Sequence, residues 1–99
     1  MNRVPPPPVL DSARVISYAF VDDVPFRKWG ALIVEGRPLE HVPCLAIAAN
    51  AGGSVGPMLF HCDGHWNVLG CTGGDAVDEL KARAEKNYPG VGTRWVDVE

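Results

Sequence analysis

Short apolar runs separated by proline, glycine and aspartate fill most of the chain, and most of them have the period of a strand. Residues 14–21 (RVISYAFV) are β-branched and aromatic and predict a first strand. A period of two puts Ile16, Tyr18 and Phe20 on one face and Val15, Ser17, Ala19 and Val21 on the other. A break at 22–25 precedes a second strand at 29–35 (WGALIVE), and Glu35-Gly36-Arg37-Pro38 predicts a turn. Residues 42–49 (VPCLAIAA) are nearly all apolar, which predicts a central strand, with Pro43 limiting how far back it can pair. A glycine-rich connection at 50–56 follows.

Two further apolar runs flank Asp63-Gly64, a dipeptide suited to the positive φ angles of a type I′ hairpin turn. A two-residue loop there sets Cys62 opposite His65, His61 opposite Trp66, Phe60 opposite Asn67, Leu59 opposite Val68 and Met58 opposite Leu69. The period then lengthens. Over 76–88, Val77, Leu80, Ala84 and Tyr88 fall on one helical stripe, with Asp75 as N-cap, Asp78 completing an imperfect capping box, Glu79 and Arg83 as an exposed ion pair, and Pro89-Gly90 as the stop. Residues 93–98 (TRWVDV) predict a last strand, either antiparallel at an edge or parallel to the second hairpin strand.

This order of elements predicts an α+β fold: a mostly antiparallel sheet of about five or six strands with one C-terminal helix packed on one face. The prolines at 5–8 favour polyproline II, so residues 1–12 read as an extended proline-rich arm and 13–99 as a single domain. A chain of 99 residues, 46% hydrophobic, can build one core. Its net charge of −3 offers no electrostatic footprint for nucleic acid or an anionic membrane. The N-terminal stretch lacks the apolar core of a signal peptide, no run approaches membrane-spanning length, and Cys44, Cys62 and Cys71 form no C-x-x-C pair, so a reduced, cytoplasmic protein is expected.

The candidate chemistry gathers at His61-Cys62-Asp63-Gly64-His65. Cys62 and His65, opposed across the hairpin, could share a metal ion or act as nucleophile and base. A closed metal site would need His41 or Asp63 as well, because Cys71 lies about 20 Å along the strand. The reaction reading lacks an oxyanion hole, and Asp63 would raise the thiol pKa. The tip reads better as His61 stacked on Trp66 with Cys62 a small buried residue. Gly52-Gly53-Ser54-Val55-Gly56 matches G-x-S-x-G but has no helix after it. At residues 70–74 the acidic Asp75, Asp78 and Glu79 would repel a phosphate at the helix N-terminus, and Phe26-Arg27-Lys28-Trp29 is a single basic–aromatic tetrapeptide. No catalytic residue, cofactor or metal is therefore assigned.

One helix covers one sheet face, while the strands carry large apolar residues on both. The uncovered face is thus expected to meet a partner protein or a second copy, most simply in a two-fold homodimer, unless the arm and the 21–29 loop fold over it. The runs LFHCDGHWNVLG, AVDELKARAEKNYPGV and RWVDV within 59–98 resemble small bacterial proteins with a strand hairpin, a helix ending in Tyr-Pro-Gly and a final Trp-containing strand. The layout is similar to compact α+β proteins that include immunity partners of polymorphic toxins, and the resemblance implies a non-enzymatic protein-binding role. The alternative is a thiol- or metal-dependent site at Cys62 and His65.

Overall fold

The structure, a computed structural model, describes residues 4–27, 33–34, 37–38, 40–50 and 56–98, with 33–34, 37–38 and 50 by backbone alone. The chain runs β1 (Val9–Leu10), β2 (Ala13–Phe20), β3 (Ile33–Val34), β4 (Arg37–Pro38), β5 (Cys44–Asn50), β6 (Met58–Cys62), β7 (Val68–Gly73), α1 (Val77–Asn87), a 3-10 turn (Val91–Thr93) and β8 (Val96–Asp97). An antiparallel sheet in the order β1-β2-β5-β6-β7, with β8 also on β2, curls into a half-barrel, and the helix packs on one face. The fold is α+β, as the order of elements implies.

β5 is the central strand because both of its faces are apolar. Leu45 and Ile47 point to the helix side, where they meet Leu59, Leu80, Ala84 and Tyr88. Cys44, Ala46 and Ala48 point the other way. Small side chains there leave room for Phe60, Trp66, Tyr18 and Phe20 to fill the layer, and the last three form edge-to-face contacts with ring centroids 5.8–5.9 Å apart.

The strict alternation expected along the first strand fails at one residue. Val15 pairs with Ala48 and Ser17 with Ile47, so Ile16 forms a β-bulge. An extra residue inverts the parity, and Val15 joins the layer of Tyr18 and Phe20 while Ala19 and Val21 stay on the helix side. Val68 likewise packs with Phe60 and Met58 and not with Leu59.

The face away from the helix is not bare, because the arm folds over it, the alternative to a covering partner that the sequence left open. Leu10 and Trp66 are buried there, and the Trp66 indole N–H donates to the Val4 carbonyl at 2.6 Å, drawing the arm across. The arm is held by a two-residue turn: Leu10 pairs with Ala13, and Asp11 and Ser12 both have positive φ (47° and 67°). That is the signature of the type I′ connection.

At Asp63-Gly64 that turn does not form. Cys62 pairs with Val68, and His61, Phe60, Leu59 and Met58 pair with Gly70, Cys71, Thr72 and Gly73. Cys62 therefore does not face His65, nor His61 Trp66. The Asp63 carboxylate accepts the backbone N–H groups of His65 (2.8 Å) and Asn67 (3.0 Å) and the Asn67 amide, while Trp66 N–H donates to the Asp63 carbonyl. This asparagine-like side-chain turn competes with the tighter one, and positive φ falls on Trp66 (64°).

The helix begins one residue later than the sequence implies. Ala76, not Asp75, is the N-cap and makes no side-chain bond; the Glu79 carboxylate instead accepts the Asp75 N–H at 2.9 Å. Its apolar stripe is as expected, with Val77 half-buried and Leu80, Ala84 and Tyr88 buried, and the Glu79–Arg83 pair lies at 3.9 Å. Gly90 (φ 103°) supplies the left-handed turn after Pro89, and the Glu85 carboxylate accepts the Gly90 and Gly92 N–H groups. Of the predicted second strand, Ile33–Val34 pairs with Arg37–Pro38 in a separate ribbon, and Trp29 lies outside the described residues. The last strand takes the antiparallel edge position, and Thr93 belongs to the 3-10 turn before it.

Candidate functional site

The outer edge of β2 is shared by two short strands. β1 pairs at Ala13 and Arg14, and Val15 N–H donates to the Pro8 carbonyl at 2.9 Å. β8 pairs at Ser17 and Tyr18, and Val98 N–H donates to the Ile16 carbonyl at 2.7 Å. The bulge at Ile16 is the seam between them. Because the prolines at 5–8 cannot donate to a ladder, the arm leaves the sheet beyond Val9 and stands beside β8. A groove of about 330 Å³ opens between them, walled by Pro5–Pro8 and by Val96, Asp97 and Val98, with Val15 and Tyr18 at its base.

The two segments that wall this groove carry exposed apolar side chains. Five large hydrophobic residues are exposed among the described residues, and four of them belong to the arm, to β8 or to the residue after it: Val4 (56%), Val9 (52%), Val96 (46%) and Val98 (38%). The fifth, Leu69, is on β7. The one carboxylate in the lining, Asp97, is already engaged. Its Oδ1 accepts the Ser17 hydroxyl at 3.0 Å and Lys81 at 3.4 Å, and these two partners hold its carboxyl below the usual range. The groove is thus suited to apolar side chains.

The cysteine–histidine cluster is dispersed by the register. Cys62 is buried on the face away from the helix, and burial, followed by the neighbouring Cys44, Asp63 and Asp11, pushes its thiol up to about 12. His65 is exposed at the turn. His41, the further metal ligand considered, lies against Tyr88 and Phe26 on the helix side and bonds the Val21 carbonyl at 3.0 Å. Among the described residues no three His, Cys, Asp or Glu side chains gather where they could hold a metal ion. Ser54 of the G-x-S-x-G match lies outside the described residues; of that match, Gly56 is described, and its backbone runs so close to Gly74 that a Cβ would meet the Gly74 carbonyl oxygen. Residues 70–73 belong to β7 rather than to a loop before the helix. In the Phe26-Arg27 segment, Phe26 packs on Tyr88 and the Arg27 backbone is pinned by Asn87 at both N–H and carbonyl.

Two features escaped the sequence reading. His61, only 4% exposed, bonds Thr72 Oγ1 through Nε2 at 3.2 Å, and its Nδ1 meets no partner among the described residues. Burial lowers its pKa from 6.5 to about 4. The second is the direct opposition of Cys44 and Cys62 across β5 and β6, which depends on a register that the 50–56 connection does not dictate.

Compared with known proteins, the chain matches no family model, no curated protein and no solved structure. The functional reading therefore rests on the chain's own surfaces. No helix among the described residues is long and apolar enough to cross a membrane.

Proposed function

We propose that the chain is a non-enzymatic protein-binding domain that docks through the β1/β8 edge, and that its favoured occupant is a second copy of itself. The observation that carries this is an apolar groove with exposed Val96 and Val98 on one wall and, on the other, prolines flanked in sequence by exposed Val4 and Val9. Fully burying an exposed valine contributes about 1.5–3 kcal/mol, and these, 38–56% exposed, each have roughly half of that left to contribute before the cost of association. Four of them, with the stiff proline wall ordered beforehand, supply a core of the kind found at the centre of an interface. A two-fold arrangement sets the same valines against each other and closes the assembly. The resemblance of the 59–98 runs to immunity-type proteins implies the same class of role.

Light scattering across a micromolar to sub-millimolar series tests the reading. The expected result is a mass that rises with concentration toward that of a dimer, and that stays monomeric in a Val96→Asp/Val98→Asp chain with an unchanged circular-dichroism spectrum. A wild-type chain that is monomeric throughout, or an association indifferent to those two substitutions, overturns it.

A further inference from the structure

We propose that Cys44 and Cys62 form a dithiol site that a low-molecular-weight disulfide, such as oxidised glutathione, converts into a cross-strand disulfide within one chain. The register carries the inference. Cys44 and Cys62 are direct partners in the β5–β6 ladder, so their side chains leave the sheet on the same face, and both belong to the same buried layer. Directly opposed residues of an antiparallel pair have Cα atoms about 4.5–5.5 Å apart, inside the span of about 4.4–6.8 Å that a disulfide bridges. None of the three cysteines is in a disulfide in the structure.

The chemistry balances as two exchanges. One cysteine thiolate attacks a sulfur of the reagent, a protein–reagent S–S bond forms, and the first reagent thiolate leaves and takes up the proton released by that cysteine. The second cysteine, as thiolate, attacks the protein sulfur of this mixed disulfide. The Cys44–Cys62 bond forms and the second reagent thiolate leaves, protonated in turn. Two protein thiols lose two electrons, and one reagent disulfide becomes two thiols. The bond would clamp β5 to β6 at the end of the hairpin away from the 50–56 connection. Both sulfurs lie in the layer that Leu10 and Trp66 help to close, so the reagent gains access when the arm or the turn at 63–67 opens. The reaction is therefore slow in the folded chain and quickens toward alkaline pH.

Cys71 is the more accessible thiol on this face, and a Cys71→Ser chain removes its competition. The folded variant is incubated with oxidised glutathione at mildly alkaline pH, unfolded, alkylated and peptide-mapped. The expected result is loss of both alkylation sites and one linked peptide pair joining Cys44 to Cys62, with both sites restored by a reductant. Cys44→Ala and Cys62→Ala chains should give no such link. Full alkylation of both cysteines, an adduct that halts at the mixed disulfide, or a link formed only after unfolding in urea overturns the proposal. Circular dichroism during the incubation distinguishes folded from unfolded chain.

Discussion

His61 makes the acid limb of stability a quantitative test of the fold. The side chain is buried on β6 with one ring nitrogen bonded to Thr72 and the other without a partner among the described residues. An unpartnered acceptor is less costly than an unpartnered donor in such a site, which favours the neutral tautomer carrying its proton on Nε2. Protonation would place a charge there, and burial accordingly depresses the pKa from 6.5 to about 4. The sign follows directly. Above pH 6.5 both folded and unfolded chains hold a neutral imidazole, and the contribution is complete; as pH falls toward 4 the unfolded chain takes up the proton first, and stability is lost. At 1.36 kcal/mol per unit, the loss by pH 4.5 is about 2.5 kcal/mol. Carboxylates with lowered pKa, Asp63 and Asp97, also lose stabilising contacts in acid, so wild type alone does not isolate the histidine. His61→Gln keeps a group able to bond Thr72 and cannot acquire the charge. Urea midpoints at pH 7.5 and 4.5 should show the variant gaining about 2.5 kcal/mol on wild type, a relative shift of about 2 M for a small domain. A difference between the two chains that is the same at both pH values would refute the reasoning.

Three further perturbations probe other parts of the structure. Tyr88→Phe removes the hydroxyl that accepts the Val42 N–H at 2.8 Å; leaving that buried group unpaired should cost about 1–3 kcal/mol in the denaturant midpoint, and a neutral result would mean the bond is not made. Gly64→Ala should change stability by less than about 0.5 kcal/mol, because the positive φ of the turn is carried by Trp66, whereas a two-residue Asp63-Gly64 turn would make it clearly destabilising. Trp66→Ala should destabilise by about 3–5 kcal/mol and hasten proteolysis between residues 4 and 12, since the indole both fills the layer and holds the Val4 carbonyl; an arm no more sensitive than in wild type would break that link.

The parts of this fold that the sequence discloses are those in which local pattern and tertiary environment agree. β5 alternates between two buried faces, and the helix stripe from Val77 to Tyr88 is followed by Pro89-Gly90, so propensity, period and packing all favour one outcome. The misreadings have separate causes. A single bulge at Ile16 inverts the faces of β2, and nothing in a run of β-branched residues marks where an extra residue will be absorbed. At Asp63 a side chain outbids the glycine turn by accepting two backbone N–H groups, while the true two-residue turn sits at Asp11-Ser12, which lacks the usual glycine. The Cys62–His65 pairing fell with that register. Leu10, five residues beyond the first proline of the arm, looks isolated in sequence and becomes core only because Trp66 folds toward it.

The manner in which β2 is closed bears on how the proposed edge can bind. A long exposed edge strand invites another chain to add main-chain hydrogen bonds, with no limit on further addition. Here the edge is divided between two strands of two residues each, separated by a bulge, and the arm beyond β1 is a run of prolines without N–H groups. Strand addition finds few donors and acceptors in register on such an edge. What remains for recognition is the side-chain surface: prolines on one wall, Val96 and Val98 on the other, Tyr18 and Val15 between them, and Asp97 bonded to Ser17 and Lys81. Binding through side chains in a groove has a fixed stoichiometry, whereas binding through an open ladder does not. The same residues that protect this edge from open-ended growth therefore favour a closed complex, and they make the substitutions at Val96 and Val98, rather than changes to backbone hydrogen bonding, the ones that should govern its affinity.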